Sequence, residues 1–307
     1  MLGHERLADL ARSCADDVST TSQGPTGRVL GTRADAWKAL KRGWPAYACE
    51  ALGLGGFLFV VGVVDAVVWA PQSSVSPLIA SHPAKRAVVG VAAGLYLIAL
   101  IYSPFGHESG AQINPSITLA YLRLKKIRLL DAGFYIGAQF IGAVLGVLVF
   151  AAVMPAWAAA PQVNYIVTAP GIWGYVGAFV AELCITFAMM LLVLESSNRP
   201  RLKRYTGLFC GSFLAFLILV ESPISGTSLN PARSTGSAVI AGGWYNLALY
   251  FIAPVLGAQI AIVAFRRGNK ARPVACAKLH HPSAGHPGAD RCIMKGCAYR
   301  AGPTDGP

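Results

Sequence analysis

Ser109-Gly110-Ala111-Gln112-Ile113-Asn114-Pro115-Ser116 and Ser225-Gly226-Thr227-Ser228-Leu229-Asn230-Pro231-Ala232-Arg233 decide how the rest of the chain is read. Each places an Asn-Pro pair at the head of an apolar segment too short to cross a bilayer, with a longer hydrophobic run on either side. Asparagine suits a helix N-cap, and proline suits the first helical turn, where its missing N–H has no intrahelical partner. Each stretch therefore predicts a half-helix that begins inside the protein. A buried helix N-terminus offers unpaired N–H groups and the positive end of a dipole, which suits a channel or a binding site.

The flanking sequence supports a membrane setting. Hydrophobic residues make up 54% of the chain and charged residues 13%, about half the charge of an average soluble domain, and the mean hydropathy is +0.51. Runs near residues 47 to 70, 85 to 104, 131 to 154, 172 to 195, 205 to 222 and 243 to 265 each have the roughly 20 residues a bilayer span needs. The short apolar segments 114 to 122 and 230 to 240 each cover roughly 15 Å as helix. Two of them end to end would cross one hydrocarbon core of about 30 Å. The order span, span, half-helix, span occurs twice. A repeat with an odd number of spans must be inverted in its second copy.

A formal charge of +12 raises the question of nucleic acid, but the basic residues lie between apolar runs rather than on one face, so no nucleic-acid partner is expected. They fit membrane orientation better. Arg123, Lys125, Lys126 and Arg128 follow the first half-helix, Arg199, Arg201, Lys203 and Arg204 join spans four and five, and Arg266, Arg267, Lys270 and Arg272 follow span six. The positive-inside rule then puts both termini in the cytoplasm, as in a multi-pass protein of a plasma or inner membrane. The half-helices enter from opposite sides, so their N-termini converge near the midplane. No signal peptide is evident, and the polar residues before the first span read as largely disordered. Residues 34 to 44 suit the membrane surface or a plain basic flank. The division expected is a tail at 1–45, a channel domain at 46–266 and a Cys/His-containing tail at 267–307.

Glu50 and Glu182 stand at matching places near the start of spans one and four. A carboxylate in hydrocarbon is costly and must find donors, so both are expected to accept hydrogen bonds from the non-helical backbone leading into the half-helices. The competing reading is the proton relay of an ion-coupled secondary transporter built on inverted repeats. His107, Glu108 and Glu221 sit at the loop mouths, as vestibule or loop-anchoring groups.

Across residues 46 to 266 the chain resembles the major intrinsic protein family, the aquaporins and glycerol facilitators. The resemblance rests on the two quoted motifs, on Tyr135-x-x-Ala138-Gln139-x-x-Gly142-Ala143 and on Pro254-x-x-Gly257-Ala258. It implies an all-α membrane fold of six transmembrane helices and two half-helices in an inverted repeat, assembled as a homotetramer in the lipid bilayer. The pore centre would be Asn114, Pro115, Ser116, Asn230, Pro231 and Ala232. The function implied is passive passage of water and small neutral solutes, with protons and ions excluded, no chemical step and no cofactor.

By the same resemblance Arg233, Thr227, Ile218 and Gly94 would form the outer selectivity filter, with Ala93 in place of Gly94 if the loop holds one more residue. Strict water channels of the family usually carry histidine at the position of Ile218 and an aromatic at that of Gly94. The wider, less polar filter expected here suits glycerol, urea, hydrogen peroxide or metalloid hydroxides. Ser234, Ala238, Tyr250 and Phe251 instead resemble the water-channel pattern. Gln112 stands where histidine is common, and Ser116 stands where alanine is usual, its hydroxyl free to bond locally.

Outside the resemblance lies Cys276-x₃-His280-His281-x₁₀-Cys292-x₄-Cys297. Thiolates and an imidazole at short spacing can hold zinc, with Cys276, His280, Cys292 and Cys297 as the ligand set. A solvated or redox-sensitive tail is the other reading.

Overall fold

The computed structural model describes residues 32–268, 273–281, 292–295, 297 and 298. The readings made of residues 1–31, Lys270 and Arg272 fall outside these. Contacts divide the chain into a unit ending at Trp37 and a unit beginning at Lys38. In the first, Thr32 Oγ1 donates to Asp35 Oδ2 at 2.8 Å and accepts from Asp35 N at 3.3 Å, a reciprocal cap at a helix start.

Among the described residues all regular structure is helical. Helices α1 (Arg33–Trp69), α2 (His82–Tyr102), α4 (Leu129–Val153), α5 (Gly174–Ser197), α6 (Thr206–Ser225) and α8 (Leu247–Gly268) are the long ones. All six are long and apolar enough to cross a membrane. Helix α1 begins earlier than its apolar run, so residues 34–44 are helical turns. Between the long helices sit α3 (Pro115–Arg123, 9 residues) and α7 (Pro231–Ala241, 11 residues). At 1.5 Å per residue their summed length is about 30 Å, the thickness of one hydrocarbon core.

Sequence chemistry sets the ends. Ser81 caps α2 by accepting from Ala84 N at 3.1 Å, with Pro83 in the first turn. Gly242 adopts φ 72° to close α7, a left-handed conformation that costs glycine nothing.

The packing obeys the repeat. Exchanging α1–α4 with α5–α8 maps the contact of α5 with α8 onto that of α1 with α4, and the contact of α7 with α4 onto that of α3 with α8. The pairs α2 with α6 and α3 with α7 map onto themselves. Lipid supplies no hydrophobic drive between helices, so these crossings depend on close backbone approach. At Gly142 a Cβ would fall on the Ala51 carbonyl oxygen, and at Gly257 on that of Leu183. The two glycines hold equivalent positions in the two repeats.

Candidate functional site

Both half-helices begin at capping asparagines. Asn114 Oδ1 accepts from Ser116 N at 2.9 Å, and Asn230 Oδ1 from Ala232 N at 3.0 Å and Arg233 N at 3.3 Å. Each amide then still has its NH₂ to give. Asn114 Nδ2 donates to the Leu229 carbonyl at 2.8 Å, and Asn230 Nδ2 donates to the Ile113 carbonyl at 2.7 Å. Each asparagine thus holds the carbonyl immediately before the other, so the two N-termini meet. A primary amide nitrogen carries two hydrogens, and one per asparagine remains for the cavity that both residues line.

These carbonyls are presented by an unusual backbone. Ala111 and Ile113 have φ of 52° and 39°, and Thr227 and Leu229 have 52° and 54°. Left-handed non-glycine residues cost roughly 1–2 kcal/mol each, so something must hold them. The holders are the buried carboxylates. Glu50 accepts from Gln112 N at 3.0 Å, Ile113 N at 2.5 Å and Gln139 Nε2 at 2.7 Å. Glu182 accepts from Ser228 N at 2.6 Å, Leu229 N at 2.8 Å and Ser225 Oγ at 2.7 Å. Tyrosine hydroxyls secure the loop entrances: Tyr135 donates to Ser109 O at 2.7 Å and Tyr250 to Ser225 O at 2.6 Å. Sequence reasoning passed over this tyrosine pair as structural supports, although both lie in equivalent positions of the repeats.

Two cavities meet along this axis. The central one, about 80 Å³, is walled by Asn114, Asn230 and mostly apolar side chains of α1, α2, α5 and α6. The larger, about 330 Å³, lies on the Arg233 side and includes Asp65, Ile218 and Thr227. Phe57, Leu214, Ser228 and Arg233 line both and so form the constriction between them. The Arg233 guanidinium is fixed there by Nη1 donating to the Ile166 carbonyl at 2.8 Å. Thr227 Oγ1 donates to Glu221 Oε2 at 2.6 Å, which makes Glu221 a loop anchor.

Several expected positions shift. Gly94 faces Gly211 and Ala215 in the α2–α6 crossing and is on neither cavity wall. Arg86, Val89 and Leu97 are the α2 residues that line the cavities, and Ala93, about one helical turn from both Val89 and Leu97, is like Gly94 on neither cavity wall. The Ser116 hydroxyl is buried with no hydrogen-bond partner among the described residues, not locally bonded. Phe57 and Leu214 were missed because nothing in a long apolar run marks which residue faces inward.

The tail also differs from expectation at one ligand. Cys276, Cys292 and Cys297 come together with His281, not His280, with all four ligand atoms within 4.8 Å of one another. The His280 ring packs instead against Tyr102 at 5.0 Å and His107 at 5.4 Å between centroids, and burial lowers its pKa. Leu279, beside it, lines the central cavity.

Comparison with known proteins adds independent support. Residues 37–265 match the profile of the family described as major intrinsic protein. Probable aquaporin NIP7-1 of Arabidopsis thaliana is 37% identical over 186 residues, covering 60% of this chain and 65% of its own. Aquaporin-4 of Mus musculus is 31% identical over 232 residues, covering 71% and 65%. The matched part therefore spans slightly less than two thirds of these relatives. The X-ray structure of the aquaglyceroporin from Plasmodium falciparum superposes with a TM-score of 0.58 at 20% identity, covering 72% of this chain and 95% of that one, a likeness of fold.

Proposed function

Because the chain belongs to the major intrinsic protein family, we propose that it is a passive channel for water and small neutral solutes. The observation that carries this reading is the pair of asparagine N–H donors, delivered by oppositely directed half-helices to one narrow cavity. A water oxygen that accepts from both asparagines cannot also accept from its neighbours in the file, so a proton wire is interrupted there. The positive ends of α3 and α7 add a barrier to cations. Nothing in this path needs a gradient or a chemical step.

Selectivity follows from the constriction on the Arg233 side. A fixed guanidinium repels cations and donates to solute oxygens, Phe57 and Leu214 set apolar surface beside it, and Thr227 and Ile218 line the outer cavity that leads to it. Such a ring admits glycerol, urea or hydrogen peroxide as well as water. Both termini lie in the cytoplasm by the distribution of basic residues, and four copies assemble, each with its own pore.

Stopped-flow swelling of proteoliposomes tests the reading. Fast osmotic water flow with low activation energy, indifferent to a proton gradient, is expected from the metal-stripped protein, together with glycerol entry. Flux that requires an ion gradient would instead establish a coupled transporter.

A further inference from the structure

The C-terminal tail folds back over the end of the cavity away from Arg233. Leu279 N donates to Gly110 O at 3.1 Å, Gln112 Nε2 donates to Ala277 O at 3.0 Å, and Lys278 Nζ donates to His107 O at 2.5 Å. Farther out, Ala275 N donates to Asn198 Oδ1 at 2.7 Å and Lys295 N to Lys126 O at 2.9 Å. The Leu279 side chain, 4% exposed, joins Asn114 and Asn230 among the walls of the central cavity. Positioned this way the tail is a stopper in the path that the asparagines define.

These hydrogen bonds and the burial of Val274, Leu279, Ile293 and Met294 work against the conformational entropy of ordering the tail, and a cross-link between its two segments would add to that hold. The Cys276, His281, Cys292 and Cys297 cluster has the dimensions of one. Zinc with Zn–S of about 2.3 Å and Zn–N of about 2.0 Å gives tetrahedral edges of about 3.8 Å between sulfurs and about 3.5 Å between sulfur and nitrogen. The Cys276 and Cys292 sulfurs are 3.7 Å apart, and the Cys297 sulfur is 3.4 Å from His281 Nε2. A disulfide needs sulfurs about 2.05 Å apart and has no use for an imidazole. Three sulfurs and one nitrogen, with the cysteines buried, make a closed set of the structural Cys₃His type.

We propose that these four residues bind one zinc-class divalent ion, and that the loaded site pins Leu279 in the pore and keeps the channel shut. Metal ligation joins the segment before residue 282 to the segment after 291, so loss of the ion unties both from the mouth. The channel then opens from the tail side. This inference rests on the channel reading above.

The test uses the full-length protein, zinc-loaded or chelator-stripped, with bound metal and proteoliposome water flux measured on the same samples. Loaded wild type is expected to hold about one zinc per chain and to be poorly permeable, with permeability rising on stripping and falling again on adding zinc. Cys292→Ser with Cys297→Ser should lose the zinc and stay permeable whether or not zinc is added. Leu279→Ala should keep the zinc and yet conduct when loaded. Wild type without bound zinc overturns the site, and equal flux from loaded and stripped wild type overturns the gating. If stripped wild type and Leu279→Ala both fail to pass water and glycerol, the channel reading itself falls, while the zinc content still judges the site.

Discussion

Glu182 offers a direct measure of what holds the pore loops in shape. Its carboxylate accepts from Ser228 N, Leu229 N and Ser225 Oγ, and it is fully buried. Glu182→Leu leaves two backbone N–H groups without an acceptor, at about 1–3 kcal/mol each, or about 2–6 kcal/mol together. Removing a buried carboxylate also recovers desolvation, which works the other way. The balance still favours the carboxylate, because the loop's left-handed Thr227 and Leu229 fix where its donors point and no other acceptor replaces it. Glu182→Gln separates the contributions. Its amide oxygen can keep the Ser228 and Ser225 partners, while its NH₂ faces the Leu229 N–H, so one bond is lost at about 1–3 kcal/mol. Heat unfolding in detergent, followed by size exclusion, should rank wild type above Glu182→Gln and that above Glu182→Leu. Metal-stripped proteoliposome flux should follow the same order. Wild-type unfolding temperature and flux in Glu182→Leu would refute the reasoning, as would a glutamine variant less stable than the leucine one.

Two further outcomes are expected. Gly142→Val and Gly257→Val each drive side-chain carbons onto a facing backbone carbonyl that cannot rotate away, and each should cost at least about 1–3 kcal/mol in unfolding; Gly133→Ala, which meets open space inside α4, is the control and should be no less stable than wild type, with a helix-propensity gain of up to about 1 kcal/mol. Ile218→His places a longer-reaching polar ring on the wall of the outer cavity, so the glycerol-to-water flux ratio of stripped protein should fall, and an unchanged ratio would remove Ile218 from the filter.

How much of this was legible in the sequence depends on whether the signal was chemical or positional. The half-helices could be read because Asn-Pro is a local capping signal with a physical reason, and the six spans because length and hydropathy suffice for them. Glu50 and Glu182 could be read because charge in an apolar run demands a partner. Gly94 could not be placed, because a glycine satisfies a filter and a helix crossing equally well, and one residue turns a helix by about 100°. The choice between His280 and His281 was open for a similar reason: adjacent residues at a bend point in different directions, and spacing alone does not say which faces the sulfurs. Leu279 carried no signal, since an apolar residue in a tail means nothing until the cavity it enters is known.

The tail also accounts for a departure between the two otherwise matched loops. In the second loop Ser228 Oγ donates to the Asn230 carbonyl and lies 2.6 Å from Ser234 Oγ, so its hydrogen bonding closes within its own repeat. Its counterpart Gln112 is longer and serves two directions. Oε1 accepts from Thr118 Oγ1 at 2.8 Å within the loop, while Nε2 reaches out to the Ala277 carbonyl at 3.0 Å. A histidine there could make both bonds only in one protonation state and tautomer, because each ring nitrogen of neutral imidazole is either donor or acceptor. Glutamine does both at any pH, with acceptor and donor on one rigid group. The glutamine that stands where histidine is common is therefore the anchor by which the first pore loop grips the stopper. Of the two pore loops, the one that faces the tail is where the inverted symmetry is broken.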